Sequence, residues 1–258
     1  MTRIFSALLY CGFLLFFPSF SFAQGTSEAL RLDTAIGLNA YQGLVEEHLA
    51  GVLNGLKTLA ATEEAGSGSW DRIERPLKEF ANDAPTQASV WFAKPDGAYF
   101  VVGKGLTSET LKDRSYFPAL MGGKEVDGTL VISKSTGERS IIVAAPILRG
   151  GRVIGAFGVS LSAVKVANRV ADKMGAQKNV IFYALDSSGQ TALHYESSLI
   201  FAFPSDIGDD SLKSAVKTML SEPKGVVSYT FGGQQRTAIF QKSKSTGWIF
   251  VVGIVHAS

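Results

Sequence analysis

An arginine and a tyrosine stand two positions apart in the stretch Asp113-Arg114-Ser115-Tyr116-Phe117. The guanidinium of arginine presents a rigid fork of N–H donors that fits a carboxylate with two hydrogen bonds. Tyrosine adds an aromatic wall and a hydroxyl group. If both side chains face one pocket, Arg114 and Tyr116 form a binding site for a small molecule. In the competing interpretation, Arg114 pairs with Asp113 or Glu109 at the surface and Tyr116 is a core residue.

The histidines and the cysteine do not form a metal or catalytic pattern. His48, His194 and His256 are scattered along the chain, and His48 lacks the H-E-x-x-H spacing of zinc peptidases. Cys11, the single cysteine, lies in the apolar N-terminal stretch, so the rest of the chain offers no thiolate ligand. There is no G-x-S-x-G nucleophile elbow and no P-loop. The sequence therefore predicts no catalytic site, no metal and no cofactor.

Weaker candidates come from aromatic and basic residues. His194, with Tyr183 and Trp248, is a candidate for a second, smaller pocket, although a hydrogen-bonded structural histidine explains it equally well. Trp91, Lys124 and Lys134 are candidates for the Arg114 pocket. Core packing is the competing interpretation for Trp91, and a solvated surface position is the competing interpretation for each lysine.

The first residues have the pattern of an export signal. Arg3 precedes the apolar run 4–20, and Ser21-Phe22-Ala23 is a small-x-small cleavage box, so we predict a signal peptide at 1–23 that is cut after Ala23. The run is short for a spanning helix, and an uncleaved anchor is the alternative. The formal net charge is +2, and no run of basic residues points to nucleic acid as a partner. The predicted location is the periplasm.

Periodicity predicts an α+β chain that begins with a long helix at 26–62. Its apolar residues recur every three or four positions between Tyr41 and Leu59, and this face is a candidate surface for a homodimer. A second helix is predicted at 70–80. The next region predicts five strands and, after the second of them, short helices within 107–120. The strands are 88–93, 98–102, 129–134, 139–148 and 152–161.

The same order of elements then repeats. A helix at 162–174, closed by Gly175, leads into a second set of strands with a helix at 209–220. These strands are 180–186, 190–195, 225–231, 234–242 and 248–255. The repeat predicts a duplicated module with an antiparallel sheet of about five strands in each copy, at 63–165 and 166–258.

A long helix followed by two such modules resembles the double Cache (PAS-like) sensor domains of bacteria. Asp113-Arg114-Ser115-Tyr116-Phe117 resembles the D-R-x-W/Y-F element of the first module. The S-x-x-T-G, A-x-P-I/V and G-x-V/I-x-G-x-x-G-x-x-I/L elements follow in order at 135–138, 144–147 and 151–161. The second module resembles its counterpart more weakly, through 186–189, His194 and Gly247-Trp248.

The resemblance implies a ligand-binding sensor and not an enzyme, with the ligand held in the first module. Amino-acid-binding members carry a tyrosine and an aspartate on the third strand and an aspartate at the end of the fifth. Serine and valine replace them here, and an ammonium group is costly to bury without a counter-charge. We therefore expect a carboxylate or a neutral ligand. The expected site residues are Trp91, Asp113, Arg114, Tyr116, Val131, Ser133 and Ser160.

Most members of this family lie between transmembrane helices and have a cytoplasmic output. Here no segment follows the last predicted strand, so we expect a stand-alone sensor that signals through a membrane-bound receptor, kinase or cyclase. A periplasmic solute-binding protein that delivers its ligand to a transporter is the second hypothesis. A small periplasmic hydrolase is the third, and no nucleophile–base pair supports it.

Overall fold

The computed structural model describes residues 34–83, 86–175 and 179–256. The predicted signal peptide and the first residues of the predicted long helix lie outside these ranges. Helix α1 spans Thr34–Ala60, which confirms the predicted long helix over these residues and ends it two residues before the predicted end. Helices α2 (Glu63–Gly66) and α3 (Trp70–Asp83) follow it.

The apolar face of α1 is covered by the chain itself. Tyr41, Val45, Leu49 and Leu56 are at most 1% exposed, and they belong to one core cluster with residues of both sheets. The face on which we expected a homodimer therefore packs intramolecularly. Burial also explains how a helix with several glycines is stable, since tertiary packing outweighs low intrinsic propensity.

The first sheet is antiparallel and has six strands in the order β3-β2-β1-β6-β5-β4. Its strands are β1 Gln87–Ala93, β2 Ala98–Val101, β3 Gly105–Thr110, β4 Val126–Ile132, β5 Arg139–Arg149 and β6 Arg152–Ser162. The prediction of five strands missed β3, and the prediction of helix from residue 107 onward was wrong at that strand. The helix of the insertion, α4, is limited to Phe117–Met121.

Alternation along the strands divides the first sheet between two cores. Val90 and Phe92 face the core shared with α1, whereas Trp91 and Ala93 face a smaller cluster formed with the insertion. Successive strand residues point to opposite faces, so this division follows from the sequence pattern. The insertion carries Leu111, Tyr116, Phe117 and Leu120 onto the second of these faces.

The second sheet has five strands, as predicted, and the structure places them in the order β8-β7-β11-β10-β9. Its strands are β7 Val180–Leu185, β8 Thr191–His194, β9 Lys224–Phe231, β10 Gln234–Lys242 and β11 Ile249–Val255. Apart from the additional edge strand β3, this order matches β2-β1-β6-β5-β4 of the first sheet. The equivalent topology is what the repeated order of elements in the sequence indicates.

Helices connect and cover the second sheet. Helix α5 (Ala163–Met174) begins with a side-chain cap from Ser162 and ends at Gly175, whose φ of 54° confirms the predicted C-cap. Helices α6 (Pro204–Ile207) and α7 (Asp210–Ser221) lie between β8 and β9. Leu212, Val216 and Met219 of α7 pack on one face of the sheet, and the opposite face joins the core of α1.

Candidate functional site

The insertion and the first sheet enclose a small cleft, called the first cleft below. The cleft and its opening hold about 250 Å³ of empty volume. Its lining comprises Trp91, Tyr99, Leu111, Arg114, Tyr116, Val131, Ser133, Lys134, Ser135, Ile142 and Ser160. The structure thus brings together six of the seven residues expected from the sequence, with Asp113 lying outside the lining. The weaker candidate Lys124 is exposed and also lies outside the lining.

Turns after β3 place Arg114 and Tyr116 over the sheet. The backbone N–H of Arg114 donates to the carbonyl of Leu111 at 3.0 Å, and that of Phe117 donates to the carbonyl of Arg114 at 3.0 Å. Nη2 of Arg114 donates to the carbonyl oxygen of Ile132 at 2.7 Å, which ties the side chain to the end of β4. This bond orients the guanidinium. Its remaining N–H donors have no partner among the described contacts, so they can bind a ligand.

Asp113 has a different position from the one we expected, because it binds Lys134. Nζ of Lys134 lies 2.7 Å from Oδ1 and 2.8 Å from Oδ2 of Asp113, and 2.8 Å from the carbonyl oxygen of Thr110. Hydrogen bonding from Lys134 holds the pKa of the Asp113 carboxyl below its ordinary value. Asp113 therefore compensates the charge of a lysine that lines the cleft. The lysine, only 19% exposed, is not the solvated surface residue of the competing interpretation.

Hydroxyl groups supply the other polar atoms of the first cleft. Ser133 and Ser160 are 5% and 4% exposed, and they lie at the positions where amino-acid-binding relatives are expected to carry carboxylates. Burial raises the pKa of the Tyr116 hydroxyl, which stays protonated and is available as a donor. None of the described residues that line the cleft carries a carboxylate. The cleft therefore offers donors and positive charge, with nothing to neutralise a ligand cation.

Four lining residues were missed from the sequence: Tyr99, Leu111, Ser135 and Ile142. Tyr99 and Ile142 lie on strands in which apolar residues continue on both faces, so their composition does not show which residue faces the insertion. Strand pairing resolves this, because Ile142 lies opposite Ser160 in the β5–β6 ladder. Because Ser160 was expected in the site, its cross-strand partner Ile142 could have been predicted to face the same cleft.

A second cleft lies between the second sheet and helices α6 and α7, and it is called the second cleft below. It holds about 350 Å³ with its opening, and Tyr183 and His194 are in its lining as the sequence suggested. Trp248 does not line it. Its indole is 2% exposed in the core shared with α1, and Nε1 donates to the carbonyl oxygen of Gly128 on β4 at 3.2 Å. Trp248 instead links the second sheet to the first.

The described ranges contain no cluster of three or more His, Cys, Asp or Glu residues that could hold a metal ion. They also contain no helix that is long and apolar enough to cross a membrane.

Comparison with known proteins identifies the family. The Cache-domain model dCache_1 matches residues 26–257. An extracellular ligand binding receptor from Desulfohalobium retbaense is similar in structure, with a TM-score of 0.69 and 13% identity over 87% of this chain and 40% of that chain. So is the sensory domain of the Campylobacter jejuni chemoreceptor Tlp3 with isoleucine bound, with a TM-score of 0.65 and 14% identity over 87% of this chain and 91% of that chain.

A third similar structure is the ligand binding domain of the Pseudomonas aeruginosa amino acid chemoreceptor PctB in complex with L-arginine. Its TM-score is 0.68, and its identity is 16% over 86% of this chain and 92% of that chain. No curated protein sequence matches this chain. The likeness to solved structures at these identities shows the fold, whereas the family model spans nearly all of the sequence. The chain therefore belongs to the Cache-domain family, in its double Cache form.

Proposed function

We propose that this double Cache domain is a periplasmic sensor that binds a small carboxylate in the first cleft and signals through a separate membrane partner. Double Cache sensor domains bind small ligands and are not enzymes. The observation that carries the ligand class is the position of Arg114 in a cleft whose described lining holds no carboxylate. The export pattern at 1–23 supports the periplasmic location.

The balance of charge favours an anion. Lys134 is compensated by Asp113, whereas no acidic side chain lies within ion-pair distance of Arg114 among the described residues. An incoming carboxylate therefore meets a guanidinium that has no ion-pair partner among the described residues, with the Tyr116 hydroxyl as a further donor. An α-amino acid would bring an ammonium group into the same space without a counter-charge, at a cost in free energy.

This chemistry separates the protein from two of its structural neighbours. Tlp3 is known with isoleucine bound and PctB with L-arginine, so those sites accept an ammonium group. Here Val131, Ser133 and Ser160 stand where we expect such relatives to hold the ammonium. The volume of about 250 Å³ includes open solvent, so the charges and donors of the lining, and not its size, indicate the ligand class.

A route for the signal runs from the insertion to α1. The insertion packs over the first sheet, and α1 packs on the opposite face of that sheet and on the second sheet. Glu46 of α1 also accepts hydrogen bonds from Ser243 at 2.5 Å and Ser245 at 2.9 Å, beyond the end of β10. A ligand that repositions the insertion would change which conformations of α1 are populated. A receptor, kinase or cyclase that contacts α1 would detect this change.

Calorimetric titration with acetate, propionate, pyruvate and L-lactate tests the ligand class. Arg114→Gln is expected to weaken binding of the active acid by about 10- to 100-fold, because a charge-assisted bond is lost. Arg152→Gln, at the exposed first residue of β6 and outside the cleft, is the matched control and should bind as wild type does. Equal affinities of wild type and Arg114→Gln would contradict the proposed site.

Crosslinking of the exported protein in cells tests the partner. We expect a membrane-bound receptor, kinase or cyclase to be captured, and more of it in one ligand state than in the other. Capture of a transporter subunit would instead favour a solute-binding protein that delivers its ligand.

A further inference from the structure

The second cleft contains a buried arginine that the proposed function does not use. Arg236 on β10 is 6% exposed, and it lines the cleft together with Tyr183 of β7, His194 of β8 and Tyr229 of β9. Ile207 and Leu212 of the covering helices form part of the opposite wall. An arginine buried to this extent is uncommon unless its charge is compensated.

The contacts of Arg236 leave its charge without an acidic partner among the described residues. Its Nε is buried and has no hydrogen-bond partner, and its Nη1 lies 3.4 Å from the hydroxyl oxygen of Tyr195. The guanidinium carbon lies 4.9 Å from the centre of the Phe231 ring, which is a cation–π contact. No acidic side chain of the described residues forms an ion pair with it. Glu196, near the Tyr195 hydroxyl, is exposed to solvent.

The polar neighbours of Arg236 are neutral, and the His194 ring keeps an N–H that can donate a hydrogen bond. Nδ1 of His194 accepts the backbone N–H of Glu196 at 2.8 Å, which leaves the ring hydrogen on Nε2. Burial lowers the pKa of His194 to about 4, so the ring is neutral near pH 7. The Tyr183 hydroxyl donates to Sδ of Met219 at 3.8 Å, and its oxygen lies 3.1 Å from the hydroxyl oxygen of Tyr229, so these two hydroxyls already have hydrogen-bond partners.

We propose that the second cleft is a second anion site, in which Arg236 binds the carboxylate of an organic acid with an apolar body. A buried guanidinium with an unused Nε–H is stabilised by an anion that enters the cleft. The apolar wall from Leu199, Pro204, Ile207, Leu212 and Phe231 fits an aliphatic or aromatic group. This site is separate from the first cleft, since the two clefts share no lining residue.

Arginine side-chain NMR on the whole chain tests this site directly. We expect the Arg236 Nε–Hε signal to shift with saturation when benzoate or butyrate is added at millimolar concentration. Benzamide and butyramide, which have the same shapes without the charge, are the matched controls and should leave the signal in place. No saturable shift of the Arg236 signal with either acid would overturn the proposal.

Variants separate the two clefts. Arg236→Gln is expected to weaken benzoate binding by about 10- to 100-fold, while Arg114→Gln leaves it intact. Loss of benzoate binding in Arg114→Gln with retention in Arg236→Gln would place the acid in the first cleft and refute a second site. If Arg236→Gln fails to fold, the wild-type side-chain signal still decides the question. The first-cleft proposal is judged independently by its own acids, so either site can fail alone.

Discussion

Replacement of Gly158 by alanine tests how the wall of the first cleft is built. Gly158 on β6 lies opposite Trp91 on β1, and a Cβ added there would lie 2.1 Å from Cζ2 and 2.3 Å from Cη2 of the indole. Carbon atoms in contact are separated by about 3.5–4.0 Å, so the ring must retreat by roughly 1.5 Å. Trp91 is 2% exposed, and the free space beside it is the first cleft.

The expected cost follows from overpacking. Forcing a buried ring out of its place lowers the free energy of unfolding by about 1–3 kcal/mol. Because the displaced indole enters the cleft, we also expect ligand affinity to fall about tenfold or more, which corresponds to about 1.4 kcal/mol. Urea unfolding measures the first effect, and calorimetric titration with the acid that binds measures the second.

Gly51→Ala is the matched control, with the opposite expected sign. Gly51 is exposed on α1, and a Cβ there would have no atom within 4 Å. Alanine in a helix is favoured over glycine by about 0.5–1 kcal/mol, so this variant should be more stable than wild type. If Gly158→Ala keeps both the stability and the affinity of wild type, the packing of Trp91 on Gly158 and its role as a cleft wall are refuted.

Three further substitutions test the contact between the two sheets, the end of helix α5 and the second cleft. Trp248→Phe should lower the free energy of unfolding, measured in urea, by about 2–4 kcal/mol, because it leaves a cavity and an unpaired Gly128 carbonyl. A loss below about 0.5 kcal/mol would contradict the role of Trp248 in linking the two sheets. Gly175→Ala should cost about 1 kcal/mol in the same assay, because alanine disfavours positive φ, and no change would argue against the left-handed cap. Burial lowers the pKa of His194 from 6.5 to about 4, so the unfolded chain binds the proton more readily in this interval. The stability that the neutral ring contributes is present above about pH 6.5 and is lost as the pH falls toward about 4, by about 3 kcal/mol in total. Relative to His194→Gln, wild type should therefore lose more stability between about pH 7 and pH 4.5, and parallel pH profiles would show that the ring is not held neutral.

The fold was predictable from sequence where the pattern of burial is regular. Apart from β3, the strands of both sheets alternate or are continuously apolar, and Gly175 marks the end of α5. Strand β3 was missed because it lies at the edge of the first sheet and its residues, Gly105–Thr110, are mostly exposed and polar. Such a strand has no apolar face to give an alternating pattern, and its hydrogen bonds to β2 alone define it.

The site was predictable to the extent that motifs identify its chain segments. Arg114 and Tyr116 were found through a resemblance, whereas the pairing of Asp113 with Lys134 spans 21 positions and required the fold. Arg236 had a readable signal that was overlooked. On β10 it falls on the same buried face as Ala238 and Phe240. A charged residue on a buried strand face indicates a functional or paired group.

A matched pair of ligands tests the central claim most directly. L-Lactate and L-alanine share a carboxylate and a methyl group and differ in a hydroxyl against an ammonium group. In calorimetric titration of the wild-type chain, we expect heat of binding from lactate, its loss in Arg114→Gln, and no binding of alanine. Binding of alanine tighter than that of lactate would show that the first cleft neutralises an ammonium group and would contradict the account.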